Sequence, residues 1–291
     1  MCTAVSYGGC FGRNLDVDRE YGEQLVLMPR NFSFPLRRAA APERHYAVAG
    51  MARVEGGVPL YFDGMNEKGL AMAGLNFPGY AVYFPDHAGA ENVTPFELIP
   101  YVLGRCADVK QAGALLAGVN VLDQNFSPEL PLTPLHWMAA DRAGAIVIES
   151  VGEGLRIYDA PEGVLTNAPD FEEQLAGLKK CGELPGDLSS RSRFVRAAFF
   201  RKNSPAGLRE EERVSQLFRI LDSVAQPKGA GRQRTVYSAC CDLNRGFYCC
   251  RTEENSRLTG VALEGEVLDG KELVTWPVRR EQDILWENAG S

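Results

Sequence analysis

The order in which strand and helix patterns occur along the chain is the feature that most restricts its fold. A helical pattern is predicted over Thr94–Leu115, after a strand-rich region, and two more over Ser192–Lys202 and Arg209–Val224, between two further groups of strands. Because strands and helices occur in runs and do not alternate strictly, the pattern predicts an α+β fold with helices outside packed sheets. Residues 1–291 contain no repeat or separating linker, and we interpret them as a single domain. The predicted strands are Thr3–Tyr7, Cys10–Asn14, Gln24–Met28, His45–Ala49, Leu60–Phe62, Gly69–Leu75, His136–Ala140, Ala145–Glu149, Leu155–Tyr158, Thr235–Ala239, Phe247–Cys250 and Arg257–Ala262.

The first residues predict a β-hairpin that carries a cysteine at its start. Gly8-Gly9 separates its two strands and supplies the positive φ angles that a tight hairpin turn requires. Cys2 precedes the first strand, and it is small enough for Met1 to be removed by processing. Cys2 would then carry a thiol and a free α-amine, whose reference pKa is about 7.7–8.0. Such an amine can act as general base for its own side chain, although the position alone is weak evidence for catalysis.

The charge balance excludes several classes of partner. The chain has 31 Lys and Arg against 38 Asp and Glu, a net charge of −7. An acidic chain is not expected to bind nucleic acid or an anionic membrane surface. We found no apolar stretch of membrane-spanning length and no basic start followed by an apolar core. The sequence therefore predicts a cytoplasmic protein.

Eight cysteines are present, and in a reducing compartment we expect free thiols. Cys240-Cys241 and Cys249-Cys250 are adjacent pairs, which lack the CxxC spacing typical of zinc sites. We interpret them as small apolar residues on two paired strands. A non-catalytic metal or redox protein that uses these pairs stays open as an alternative. We expect no metal and no cofactor.

Seven segments, in chain order, resemble the choloylglycine hydrolase family of N-terminal nucleophile hydrolases, which includes conjugated bile salt hydrolases and penicillin V acylases. The resemblance implies an αββα sandwich of two antiparallel sheets flanked by helices, with Cys2 as nucleophile. It continues into Thr235–Ser238 and Glu253–Asn255. The seven segments are Met1–Ala4, Phe11–Asp16, Asp63–Leu70, Ala73–Pro78, Leu135–Met138, Gly163–Pro169, and Leu184–Asp187 with Ser192–Phe194.

The resemblance assigns a charged pair beside the nucleophile. Arg13 and Asp16 match that pair, and a neighbouring guanidinium favours a thiolate. Asp16 is implied to orient the α-amine and the scissile nitrogen. Without the family context, the two residues would be interpreted as an ordinary surface ion pair, worth less than about 1 kcal/mol.

Three further polar residues match active-site positions of the family. Asn76 is implied to donate to the oxyanion of acyl transfer, together with a main-chain N–H. Asn167 is implied to hold the α-amine, and Arg193 to support the local positive field. The three histidines lie outside the matched catalytic positions, which disfavours a cysteine–histidine mechanism.

Asparagine at position 76 resembles the bile salt hydrolase branch, whereas the penicillin acylase branch tends to carry tyrosine there. Four apolar residues are expected to form a wall suited to a steroid, namely Leu15, Phe126, Leu130 and Leu135. The expected activity is hydrolysis of the amide bond of glycine- or taurine-conjugated bile salts, which are small amphipathic substrates. The alternatives are acylase activity on penicillin V or on N-acyl homoserine lactones.

The chain departs from the family pattern at two places. The first hairpin is short, and Phe171–Glu183 lacks a long segment that family members normally carry. Because that segment helps to bound the pocket and to link subunits, we expect a homo-oligomer that is a dimer or a weakened tetramer.

Overall fold

The N-terminal hairpin forms as predicted and lies inside a larger sheet. In the computed structural model, which describes residues 1–42 and 44–287, Tyr7 pairs with Cys10 across a turn at Gly8 and Gly9. Both glycines have positive φ, 58° and 80°. A Cβ at Gly9 would also lie 2.5 Å from the side-chain amide nitrogen of Asn244, so a larger residue would displace that side chain in addition to straining the turn.

The elements of the described chain are as follows. The strands are β1 Cys2–Tyr7, β2 Cys10–Val17, β3 Gln24–Met28, β4 Val48–Glu55, β5 Val58–Asn66, β6 Ala71–Asn76, β7 Glu91–Val93, β8 Val119–Val121, β9 Leu135–Ala140, β10 Ala145–Val151, β11 Gly154–Asp159, β12 Val164–Leu165, β13 Arg234–Asp242, β14 Phe247–Thr252, β15 Thr259–Ala262 and β16 Val274–Pro277. The helices are α1 Leu98–Arg105, α2 Val109–Leu116, α3 Phe171–Lys180, α4 Ser190–Lys202 and α5 Glu210–Asp222, with a short 3-10 helix at Glu266–Asp269.

Two antiparallel sheets contain most of these strands. The first has six strands in the order β12-β1-β2-β13-β14-β15, and the second has eight in the order β11-β10-β9-β6-β5-β4-β3-β16. Helices α4 and α5 pack on β1, β2 and β13 of the first sheet, whereas α1 and α2 pack on the second. The αββα sandwich implied by the resemblance is therefore confirmed, and β1 lies one strand from the edge of its sheet.

Side chains of the second sheet point alternately into two apolar cores, one on each face of the sheet. In β3, Leu25 and Leu27 belong to the core shared with the first sheet, while Val26 and Met28 belong to the core beneath α1 and α2. Side chains of a strand point alternately to opposite faces, so a sheet covered on both sides is apolar at every position. Cys2 belongs to the core that the two sheets share.

The helix predicted over Thr94–Leu115 is wrong in its start and its continuity. Thr94 and Glu97 form a turn in which the Thr94 hydroxyl donates to the Glu97 carboxylate, and α1 begins only at Leu98. The chain then leaves the helix at Cys106, and Asp108 starts α2 by accepting a hydrogen bond from the main-chain N–H of Gln111. Helix α3 was not predicted, although Asp170 caps it and two lysines end it.

The adjacent cysteine pairs lie on two paired strands, as interpreted. Cys240 of β13 is directly opposite Cys249 of β14, and all four members are buried. Burial raises the pKa of Cys241 and of Cys250 above the usual value for a thiol. Within residues 1–42 and 44–287, no group of three or more His, Cys, Asp or Glu side chains is arranged to hold a metal ion.

None of the helices described is both long enough and apolar enough to cross a bilayer.

Candidate active site

Cys2 lies between the two sheets with its sulfur against a guanidinium. Its side chain faces the inter-sheet core, and only 2% of the residue is exposed. Arg13 Nη2 donates to Cys2 Sγ at 2.9 Å. Register explains this contact, because Cys2 pairs with Leu15 on β2, and Arg13 lies two residues from Leu15 on the same face of that strand. The structure thus places a buried cation beside the predicted nucleophile.

The main-chain nitrogen of Cys2 is held by Asn167. It donates to Asn167 Oδ1 at 2.5 Å. Asn167 follows β12, which pairs with β1 on the side opposite β2, so Cys2 is contacted from both sides of its strand. Asn167 Nδ2 donates to the main-chain oxygen of Asn76 at 2.7 Å. One side-chain amide therefore connects the N-terminus to the end of β6 in the other sheet.

Arg193 reaches the same group from helix α4. Its Nη1 donates to Cys2 O at 2.5 Å and to Thr3 Oγ1 at 2.7 Å, while its Nη2 donates to Asn167 Oδ1 at 2.9 Å. Burial lowers the pKa of Arg193, and the carboxylate of Asp16, 3.8 Å away, acts in the opposite direction. Arg193 consequently fixes β1 and Asn167 as one unit.

Asp16 contributes both its carboxylate and its main chain. The carboxylate accepts from Thr235 Oγ1 at 2.6 Å and from Gln226 Nε2 at 3.1 Å, and burial raises its pKa. Its main-chain oxygen accepts from the α-amine of Met1 at 2.5 Å. In the chain with Met1 in place, Asp16 therefore contacts the terminal amine through its backbone and not through its carboxylate.

Arg13 and Asp16, which the resemblance matched to a charged pair beside the nucleophile, do not pair with each other. They lie on opposite faces of β2, because they are three residues apart on a strand. Arg13 Nη1 lies 3.5 Å from the carboxylate of Asp63, and Asp16 lies near Arg193 instead. Both residues are buried, so the alternative of an ordinary surface pair is wrong.

Met1 occupies the position immediately outside this group. Its α-amine contacts the side-chain oxygen of Gln233 as well as the main chain of Asp16. Burial lowers the pKa of this amine below its usual value. As long as Met1 is attached, the nitrogen of Cys2 is an amide and has no basic lone pair.

The predicted apolar wall is brought together only in part. Leu15 is buried and lies directly opposite Cys2 on the neighbouring strand. Phe126 packs instead on Phe96, with ring centroids 5.1 Å apart. Leu135 packs with the core beneath α1 and α2, on the far side of the second sheet. Leu130 is half-buried in a turn in which its main-chain N–H donates to the Ser127 carbonyl.

A buried polar network supports the segment that carries Asn167. His136 Nε2 donates to Thr166 O at 2.7 Å, and Glu149 Oε1 accepts from the main-chain N–H of Phe171 at 3.0 Å. Gln174 Nε2 donates to Asn167 O at 2.7 Å. His136 thus lies outside the contacts with Cys2, as predicted, but it helps to fix the residue that holds the N-terminus.

Sequence reasoning assigned no role to several residues of the site. Asp63, Tyr237 and Thr235 lie in segments that carried the family resemblance, so a signal for each was present. Gln226 lies outside those segments, and a glutamine in a loop gives no signal of its own. Only its contact with Asp16 places it in the site.

Comparison with known proteins gives a consistent result. Residues 2–182 and 177–276 match the model of the linear amide C–N hydrolases, choloylglycine hydrolase family. A bile salt hydrolase/transferase of Lactiplantibacillus plantarum is 44% identical over 97% of this chain and 98% of that protein. A second protein of that description, from Clostridium perfringens, is 32% identical over 98% of this chain and 99% of its own length.

Solved structures agree in fold. The structure of a mutant conjugated bile acid hydrolase from Clostridium perfringens superposes with a TM-score of 0.90 at 32% identity, covering 99% of this chain and all of that one. A penicillin V acylase from Agrobacterium tumefaciens superposes with a TM-score of 0.78 at 23% identity, covering 95% of this chain and 91% of that one, which shows a shared fold. Together with the arrangement around Cys2, these matches establish that the chain belongs to the choloylglycine hydrolase family of linear amide C–N hydrolases.

Proposed function

We propose that this protein hydrolyses the amide bond of glycine- or taurine-conjugated bile salts, with Cys2 as nucleophile after Met1 is removed. The observation that carries the proposal is the surroundings of Cys2, whose sulfur accepts from Arg13 and whose nitrogen donates to Asn167. The substrate class is supported by relatives with bile salt hydrolase descriptions that match over almost their whole length.

The chemistry follows from the two groups that Cys2 would carry. Once Met1 is gone, the nitrogen of Cys2 is an α-amine, of which roughly a tenth to a sixth is unprotonated at pH 7. The amine takes the thiol proton, and the sulfur attacks the amide carbonyl carbon to form a tetrahedral oxyanion. The C–N bond then breaks, and the ammonium returns its proton to the leaving glycine or taurine nitrogen. A water molecule, deprotonated by the same amine, attacks the thioester and releases the bile acid and the free thiol.

The neighbouring residues have separate tasks in this scheme. The guanidinium of Arg13 stabilises negative charge on sulfur, and Asn167 orients the amine as it now orients the Cys2 N–H. Arg193 and Asp16 form a buried, oppositely charged pair on the helix side of β1 that keeps Asn167 in place. The side chain of Asn76 is proposed to donate to the oxyanion.

Asn76→Ala tests whether this residue acts through its side-chain amide or through its main-chain oxygen. The substitution keeps the main-chain oxygen that accepts from Asn167 and removes only the side-chain donor. We expect kcat to fall about 10²–10³-fold with little change in KM, as for loss of one oxyanion donor. Asn203→Ala, at the end of α4, is a control for loss of an asparagine far from the site. A change in kcat below threefold would show that Asn76 contributes through its backbone alone.

Substrate choice is tested by measuring kcat/KM for glycocholate, taurocholate, penicillin V and an N-acyl homoserine lactone on one preparation. We expect a conjugated bile salt to give the highest value, because Asn76 resembles the bile salt hydrolase branch and Leu15 is apolar beside Cys2. A higher kcat/KM for penicillin V would contradict the proposed substrate class while leaving the cysteine mechanism intact.

We also propose that the protein is a homo-oligomer that dissociates more readily than a tetramer whose subunits are linked by the long segment that family members normally carry. In place of that long segment, the chain forms α3, which packs on α4 of its own subunit. Apolar surface remains on α4, where Phe199 and Phe200 are 46% and 39% exposed. Light scattering over a dilution series should show a dimer, or a tetramer that dissociates on dilution. A tetramer that persists at nanomolar protein would contradict this expectation.

A further inference from the structure

The guanidinium that contacts Cys2 is itself held by residues of the opposite sheet. Arg13 Nη1 donates to the main-chain oxygen of Phe62 at 2.9 Å and lies 3.5 Å from Asp63 Oδ2. Phe62 and Asp63 belong to β5 of the eight-stranded sheet, whereas Arg13 belongs to β2 of the six-stranded sheet. Because a guanidinium is planar, anchoring its Nη1 also determines the direction in which its Nη2 points.

Two tyrosines hold the Asp63 carboxylate in turn. Tyr237 of β13 donates its hydroxyl to Asp63 Oδ2, and Tyr248 of β14 donates to Asp63 Oδ1 at 2.6 Å. Burial raises the pKa of both phenols well above the usual value, so they remain neutral donors. Each carboxylate oxygen therefore has a donor of its own, and the carboxylate cannot rotate without losing one of them.

Arg13 and Asp63 are opposite charges that lie next to each other, shielded from water. Asp63 and Arg13 are each 1% exposed. Burial raises the pKa of Asp63, and Arg13 is the largest influence in the other direction. Despite its burial, Arg13 has a pKa raised above the ordinary value, with Cys2 and Asp63 contributing. A buried charge that loses its partner is strongly destabilised, so the position of Arg13 depends on Asp63.

We propose that Asp63, fixed by Tyr237 and Tyr248, is a positioning residue for catalysis: it holds the Arg13 guanidinium against Cys2 Sγ across the interface between the two sheets. The inference rests on the proposed function, in which Cys2 is the nucleophile. Tyr237 and Tyr248 then have a role beyond packing, because they fix the orientation of the Asp63 carboxylate that holds Arg13.

The test is Asp63→Asn, which keeps the size of the side chain and removes its charge. Alkylation of Cys2 by iodoacetamide is followed as a function of pH by mass spectrometry of the N-terminal peptide, alongside kcat and KM. We expect the alkylation profile to move to higher pH by about one unit and kcat to fall about tenfold or more, with KM within about twofold. The exposed Cys181 serves as an internal reference whose alkylation profile should not move.

Asp242→Asn is the matched control. Asp242 is a buried aspartate at the end of β13 that binds Arg245 and does not contact Arg13. Tyr248→Phe keeps the carboxylate and removes one of its donors, so it should shift the Cys2 profile in the same direction by a smaller amount. Should Asp63→Asn fail to fold, Tyr248→Phe decides the matter by the same readout.

A folded Asp63→Asn protein with an unchanged Cys2 profile and kcat within twofold of the parent would overturn the inference. So would an equal shift in Asp242→Asn, because the effect would then be general to buried charge. A shifted Cys2 profile in a protein that cleaves no conjugated bile salt would support the positioning role and reject the proposed substrate.

Discussion

Cys2→Ala is expected to lower amide hydrolysis by at least about 10⁴-fold while leaving the fold intact. In the proposed mechanism the thiol supplies the atom that attacks the carbonyl carbon, and no other described side chain next to Arg13 Nη2 offers a nucleophile. Removing one buried sulfur should cost about 1–2 kcal/mol of stability at most. Release of glycine from glycocholate measures activity, and thermal unfolding by circular dichroism measures the fold.

Cys106→Ala is the control for this substitution. Cys106 is also buried, at the end of α1, and burial raises the pKa of its thiol to about 11, so it is an inert neutral group. That variant should lose similar stability and keep its activity. Substantial turnover by folded Cys2→Ala protein would reject the cysteine mechanism altogether.

Chains that retain a residue before Cys2 should be as inactive as Cys2→Ala. In that state the Cys2 nitrogen is an amide that donates to Asn167, so it cannot accept the thiol proton. The preceding residue also occupies space at the site, since the amine of Met1 lies against Asp16 and Gln233.

A fusion with a leader that a protease removes to expose Cys2 provides the measurement. Activity should be absent before cleavage and should appear in proportion to the fraction of chains whose intact mass shows a free Cys2. The same fusion carrying Cys2→Ala should stay inactive after cleavage. Full activity of the uncleaved fusion would show that some other group acts as the base.

The sequence by itself determined the parts of this protein that depend on neighbours along the chain. Gly8-Gly9 predicts the first hairpin because its two positive φ angles are a local requirement. The position of Cys2 after Met1 made it a candidate nucleophile, which the family resemblance then supported. Helices α4 and α5 were predicted within two residues at each end, because capping and apolar spacing are also local. The resemblance added the αββα sandwich, and the residues it named around Cys2 include Arg13 and Asn167, which contact it.

The tertiary structure decided what depends on contacts between distant segments. The end of α1 is held by a distant residue, because the side-chain amide of Asn66 in β5 donates to the main-chain oxygens of Leu103 and Cys106. The structure extends β2 to Val17, beyond its predicted end at Asn14, so that one strand contains both Arg13 and Asp16. Because the two residues are three apart on this strand, their side chains face opposite layers. Asp63 meets Arg13 and Tyr248 only because the two sheets pack face to face. A buried charge requires partners from whatever segments surround it, and only the folded chain shows which segments those are.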